Sequence, residues 1–200
     1  MKEALLSIIK DENRIITGQI DPQYLSDNLG RKKGTAEAVV FPVSTEEISG
    51  VMRYAWKNNL PVTPRGAGTN LVGSTVPSGH GIVLDVSLMN HVLELDKETF
   101  TATVEPGVVL EDFQTYVESK GLFYPPDPGE KKATIGGNIS TNAGGMRAVK
   151  YGVTRDYVMG LEVVLPDGTI TQFGGKVVKN SSGYDLKDLI IGSEGTLGFI

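Results

Sequence analysis

Ten of the 25 glycines in this 200-residue chain fall in two windows, Gly66 to Gly81 and Gly136 to Gly152. Even scattering would put about four glycines in stretches of that combined length, and glycine is the residue that lets backbone approach another group closely. In the first window an extended piece, Leu60-Pro61-Val62-Thr63, runs into Pro64-Arg65-Gly66-Ala67-Gly68-Thr69-Asn70-Leu71. Successive amides at Gly66, Ala67, Gly68 and Thr69, with the charge of Arg65 alongside, form a concave nest for an anion such as phosphate. The second window opens with Ala133-Thr134-Ile135-Gly136-Gly137-Asn138-Ile139-Ser140-Thr141-Asn142-Ala143-Gly144-Gly145, which offers hydroxyls, carboxamides and bare backbone to a polar ligand. Either loop alone reads as an ordinary long turn. Two of them, each beside a strand or helix, favour a ligand site.

The rest of the chain supplies the frame. Met1 to Lys10 reads as an amphipathic helix, and Asp21 to Gly34 as a polar, turn-rich arm, with ordered structure starting at Glu37. Glu37 to Phe41 reads as a strand. Ser44 with Glu47 three residues on is a capping box, and Ile48, Val51, Met52 and Ala55 repeat at helical spacing to about Asn59. Pro61 to Thr63 and Gly81 to Val86 are extended, and Val92 to Asp96 pairs with Phe100 to Val104. A second helix runs from about Val109 to Lys120, stopped by Gly121. Tyr157 to Leu165 and Thr169 to Phe173 flank Pro166-Asp167-Gly168 as a second hairpin, Tyr184 to Ile191 is a short helix, and Leu197 to Ile200 starts a strand. Strands alternate with helices and two connections are tight hairpins, so the class is α+β (α/β) with mixed sheets.

Several chemistries are excluded at this level. There is no cysteine, and the two histidines are His80 and His91, so disulfides, thiol catalysis and cysteine-ligated metal sites are out and no metal site is expected. Hard redox chemistry would need an organic cofactor. The net charge of -5 gives no positive field for nucleic acid. No apolar run approaches a membrane span, and the N-terminal apolar stretch is too short for a signal peptide. A Rossmann fingerprint needs Gly where Leu71 stands, and a Walker loop needs Gly-Lys-Ser/Thr. Gly192-Ser193-Glu194-Gly195 is one residue short of a hydrolase elbow, and His80 and His91 read as turn and strand-end residues. Lys131, Lys132, Arg147 and Lys150 read as a hydrated rim to the second loop.

Five motifs carry a resemblance. Pro64 to Thr69, Tyr124-Pro125-Pro126-Asp127-Pro128, Thr134 to Asn138 through Thr141 to Gly145, Tyr151-Gly152-Val153-Thr154-Arg155-Asp156, and Gly192-Ser193-Glu194-Gly195-Thr196-Leu197-Gly198 resemble, in this order, the FAD-binding domain of the vanillyl-alcohol oxidase and p-cresol methylhydroxylase type. They are most similar to its hydroxy-acid branch, the glycolate oxidase D subunits and flavin-linked D-lactate dehydrogenases. The resemblance implies a two-lobed PCMH-type FAD-binding domain over residues 34–200, with lobe one at about 34–105 and lobe two at about 106–200, preceded by a helical arm at 1–33. It implies FAD between the lobes, touched by Pro64, Arg65, Gly66, Ala67, Gly68, Thr69, Asn70 and Leu71 and by Pro126. On the other side it implies Thr134, Gly136, Gly137, Asn138, Thr141, Asn142, Gly144, Gly145, Gly152 and Val153, with Glu194 and Ile200 near the adenosine end.

Two departures stand out. Asn70 occupies a position where glycine is commoner, and Val72 one where a small polar residue is usual; neither removes an amide donor. Relatives also continue into a cap domain that supplies substrate and catalytic residues, so the expectation is a fragment ending before it. With no cysteine, and no histidine in the core of either window, the cofactor is expected to be noncovalent. The implied activity is oxidation of a D-2-hydroxy acid, of the glycolate or D-lactate class, to the 2-oxo acid. Electrons would pass to an electron-transferring flavoprotein, a quinone or a cytochrome. Acidic charge and the lack of an anchor suggest a cytoplasmic protein, at most peripheral to a membrane electron-transfer chain. A noncatalytic FAD-binding module that needs partner chains and an enolpyruvyl-type reductase remain as alternatives.

Overall fold

The computed structural model describes residues 1–200. Helix α1 (Lys2–Ile9) leads into a short strand β1 (Ile15–Thr17), and β2 (Ala36–Val40) follows after a turn-rich stretch. Helix α2 (Thr45–Lys57), β3 (Val62–Arg65) and β4 (Gly81–Asp85) complete a four-stranded sheet of order β1-β2-β4-β3. Strands β2, β4 and β3 are mutually parallel, and β1 closes the edge antiparallel to β2. Every residue of β4 is buried, as the unbroken apolar run of a strand covered on both faces requires. One face packs on α1 and α2 through Leu5, Ile9, Ile48, Val51 and Ala55. The other face, with Val39 and Val83, is covered by Ile20, Tyr24 and Leu25 from the stretch between β1 and β2.

Ordered structure therefore begins well before Glu37. Ile15 pairs with Val40, and Leu5 and Ile9 are fully buried. The Arg14 guanidinium ties this segment down by reaching Glu47 Oε2 at 2.6 Å, the Phe41 carbonyl at 3.2 Å and the Ile9 carbonyl at 2.5 Å. A three-residue strand has too little alternation to be seen in sequence. Ser44 caps α2 as expected, its hydroxyl accepting from the Glu47 amide at 3.3 Å. The reciprocal bond goes elsewhere: Glu47 accepts from the Val43 amide at 2.9 Å and turns its charge to Arg14.

Strands β5 (Val92–Asp96) and β6 (Thr101–Val104) form the first hairpin. Helices α3 (Leu110–Ser119), α4 (Ile135–Ser140) and α5 (Ala148–Tyr151), the hairpin of β7 (Gly160–Val164) and β8 (Ile170–Gly174), and helix α6 (Lys187–Ile190) follow. Leu110, Phe113, Val117, Ile135, Ile139, Leu161 and Val163 form a second core. The β5–β6 hairpin, read from sequence as part of the first lobe, packs Val92, Leu95, Ala102 and Val104 against this second core.

Three further expectations are corrected in detail. The second glycine window is not all loop. Thr134 Oγ1 accepts from the Gly137 amide at 3.2 Å to start α4, and Ile135 and Ile139, four apart, are buried in the second core. That burial offsets the roughly 1 kcal/mol each that Gly136 and Gly137 cost in a helix. The helix expected over Tyr184 to Ile191 shrinks to four residues because Tyr184 and Leu189 face solvent and only Ile190 and Ile191 have a core to enter. The strand expected from Leu197 is a single pair, Val164 and Phe199, each amide 2.8 Å from the other's carbonyl. Glu194 and Gly195, both at positive φ, keep the preceding residues in a turn.

Candidate functional site

Strand β3 lies at the sheet edge, where Pro64 costs no ladder bond, and its last residue is Arg65. The chain then leaves the carboxyl end of the parallel strands, where ligands of such sheets commonly sit. The amides of Gly66, Ala67, Gly68 and Thr69 donate to no group of the protein. Immediately after them Asn70 Oδ1 accepts from the amides of Val72, Gly73 and Ser74, at 2.9, 2.9 and 3.1 Å. The carboxamide gathers the far side of the loop and leaves the near side open. Asn70 is thus the organiser of this turn.

Arg65 sits beneath the loop and is only 8% exposed. Its Nε lies 3.8 Å from Asp85 Oδ2, and its guanidinium carbon lies 5.5 Å from the centroid of the Tyr24 ring. Its Nη1 is buried without a hydrogen-bond partner, as is Thr75 Oγ1. Burial lowers the Arg65 pKa, with Asp85 and Tyr24 pushing back. Burial likewise raises the Asp85 carboxyl above its ordinary value, opposed by the Ser87 amide and by Arg65. Gly68, at φ +69, has to be glycine twice over: the conformation is left-handed, and a Cβ there would overlap the Arg65 guanidinium.

The facing wall is α4. A Cβ on Gly66 would overlap Thr134 Oγ1, so the two glycine-rich segments meet at that point. Between them lies a cleft of about 400 Å³, within the usual range for small-molecule and cofactor sites. The structure brings to it Pro64 through Leu71, then Thr134, Gly136, Gly137, Asn138 and Thr141, and finally Glu194 and Ile200. Glu194 is held there by its amide, which donates to the Ser140 carbonyl at 2.8 Å.

Six residues picked out by the resemblance do not line this cleft: Pro126, Asn142, Gly144, Gly145, Gly152 and Val153. They lie behind or beside its second wall. Pro126 is buried, and its carbonyl accepts from Gln114 Nε2 at 3.0 Å. Asn142 Oδ1 accepts from the Arg155 amide at 3.0 Å, and the Val153 amide donates to Asp156 at 2.7 Å. A side chain on Gly144 would press on Val153, one on Gly145 would strike the Asp127 carbonyl, and one on Gly152 the Asp156 carboxylate.

Other lining residues were not picked out from the sequence. Gly195, Gly198 and Pro128 belong to motifs already quoted and were legible in principle. Thr75 lies inside the first glycine window, whereas Val86 and Pro106 carried no signal, because they arrive at the cleft only through the sheet and its connections. His80 and His91 lie outside it, exposed beside Glu37 and Glu105. With Ser193 Oγ buried and unpartnered, no nucleophile–base pair forms. No group of three potential ligand side chains could hold a metal ion. Of the four basic residues beside the second window, Lys131 and Arg147 both reach Asp127, with Arg147 Nε at 3.1 Å, while Lys132 pairs with Glu111 at 2.6 Å.

The open amides, the unsatisfied Arg65 nitrogen and the polar lining suit an extended, anion-bearing cofactor. The family described as "FAD binding domain" matches residues 36–174. The chain is 49% identical, over its whole length, to glycolate oxidase subunit GlcD of Bacillus subtilis, of which it covers 43%. It is 50% identical over 94% of its length to a D-lactate dehydrogenase of Anaerostipes hadrus, covering 40% of that protein. The mitochondrial D-2-hydroxyglutarate dehydrogenase of Bos taurus is 41% identical over 94% of the chain. The chain thus spans about two-fifths of the length of such relatives. Among solved structures, an alkyldihydroxyacetonephosphate synthase superposes with a TM-score of 0.84 at 25% identity, over the whole chain and 37% of the synthase.

Proposed function

This chain belongs to the family of FAD-binding domains, and on that premise we propose that it is the cofactor-holding part of a flavin-dependent dehydrogenase that oxidises a D-2-hydroxy acid of the glycolate or D-lactate class to the 2-oxo acid. The single observation that carries the placement is the row of four unpaired amides, Gly66 to Thr69, above the unsatisfied Nη1 of Arg65. These donors would hold the pyrophosphate, and Gly136, Gly137 and Asn138 would face it from α4. Glu194 would accept from ribose hydroxyls, and Thr134, Thr141 and Ile200 would flank the rest of the cofactor. Asn142, Gly144, Gly145, Gly152 and Val153 would set the second wall in place.

When bound, FAD supplies the two-electron acceptor chemistry. The protein's own work is placement: open loop amides, a buried arginine beneath them, and a wall of small residues facing them. The absence of cysteine supports noncovalent binding. The names of the relatives support the 2-hydroxy-acid class. No helix is long and apolar enough to cross a membrane. A cytoplasmic location, peripheral at most to a membrane chain, and transfer of electrons to an electron-transferring flavoprotein, a quinone or a cytochrome complete the reading.

Titrating the chain with FAD while following flavin fluorescence and melting temperature tests it. A ligand that binds only the folded state must raise its stability. Saturable binding, weakened by Gly66→Asp or Gly137→Asp, is the expected result. A chain that stays folded and takes up no FAD would overturn the reading.

A further inference from the structure

We propose that Asp85 is a positioning residue for this cleft, holding the Arg65 guanidinium under the Gly66–Thr69 loop so that its unpartnered N–H groups are available to a phosphate oxygen of FAD. The inference rests on the cofactor reading above and extends it to a residue outside the cleft lining.

Asp85 and Arg65 end neighbouring parallel strands and are register partners, so the sheet itself sets their separation. Both are almost fully buried, at 4% and 8% exposure. The Asp85 carboxylate is fixed in turn, because its Oδ1 accepts from the Ser87 amide at 2.9 Å while Oδ2 faces Arg65 Nε. The Tyr24 ring lies within reach of the guanidinium, and Gly68 leaves just enough room for Nη2. Asp85 thus supplies a counter-charge at Nε without hydrogen-bonding the guanidinium, and Nη1 is buried with no partner in the protein.

An arginine is long and flexible, and a buried guanidinium with no counter-charge is costly enough to drive the side chain toward water. Asp85 removes that incentive without occupying Nη1. It acts through Arg65 and does not itself touch the cofactor, so removing its charge should matter only while Arg65 is present.

The test is a double-mutant cycle read by FAD titration of the chain. Asp85→Asn keeps an acceptor for the Ser87 amide but loses the charge, and it should raise the FAD dissociation constant about tenfold; Arg65→Gln should raise it by more. In the Arg65→Gln background, Asp85→Asn should add less than about twofold. An equal tenfold loss in both backgrounds, or none in either, would overturn the proposal. So would failure of both Asp85→Asn and Asp85→Ser to fold, which would assign Asp85 a structural role alone. A wild-type chain that does not bind FAD refutes the cofactor reading itself, a result visible before any variant is compared.

Discussion

Gly66 and Thr134, 68 positions apart in the chain, are packed so closely that a methyl group on the first would overlap the hydroxyl of the second. That hydroxyl already caps α4 by accepting from the Gly137 amide. One atom therefore serves both the contact between the loops and the start of the helix that forms the far wall. Gly66→Ala should destabilise the fold by about 1–3 kcal/mol as the wall is displaced. Thr134→Ala alone should cost about 1 kcal/mol through the lost cap. The pair together should cost clearly less than the sum, measured by urea unfolding; strict additivity would mean that the two residues do not meet.

Asn70 gathers three consecutive amides, and its loss should loosen one side of the loop while sparing the sheet. Asn70→Ala should cost about 1–3 kcal/mol and speed hydrogen exchange at Val72, Gly73 and Ser74. Asn70→Asp keeps the acceptor and should retain slow exchange, yet place a negative charge beside the open amides and weaken FAD binding. Unchanged exchange in Asn70→Ala would remove the organiser role.

Arg14 joins the N-terminal segment to α2 through Glu47, whose side chain is about as shielded as its own. Arg14→Met should destabilise the chain by about 1–3 kcal/mol, because it leaves Glu47 partly buried without its partner. Arg14→Lys should recover little, since one ammonium cannot span Glu47 and the Ile9 and Phe41 carbonyls together. A lysine variant that melts with wild type would refute this.

Tyr124 offers a pH signature. Burial, with a smaller push from Tyr157, raises its phenol from 10.0 to about 12. The folded chain therefore keeps a proton that the unfolded chain has begun to lose. The stability this contributes is whole below about pH 10 and disappears as the pH climbs toward about 12. Tyr124→Phe should flatten that decline, by roughly 1 kcal/mol at pH 11 relative to pH 9. Parallel curves for the two proteins would show that the phenol is not shielded.

Much of the frame was legible in sequence because its signals are local. The helix from Ser44, the two hairpins and the helix before Gly121 each carry their own periodicity or turn residues, and each is found near its expected bounds. The first glycine loop was legible too, since a run of small residues after a strand limits what backbone can do there. The strand β1 and the short helix α4 were not, because one is too brief to alternate and the other contains two glycines and is held by burial of Ile135 and Ile139.

What the sequence by itself determined is the class of the fold, the family and the chemical character of the cleft: small, amide-rich, with one cation at its base. Tertiary structure alone decided which residues share that cleft. It set Asp85 against Arg65 through strand register, brought Thr134 onto Gly66, and carried Val86 and Pro106 in while leaving Gly145 and Gly152 pressed on Asp127 and Asp156. The physical reason is that composition and local propensity act within a few residues, whereas these contacts follow from how the strands are ordered and how elements far apart in the chain pack together.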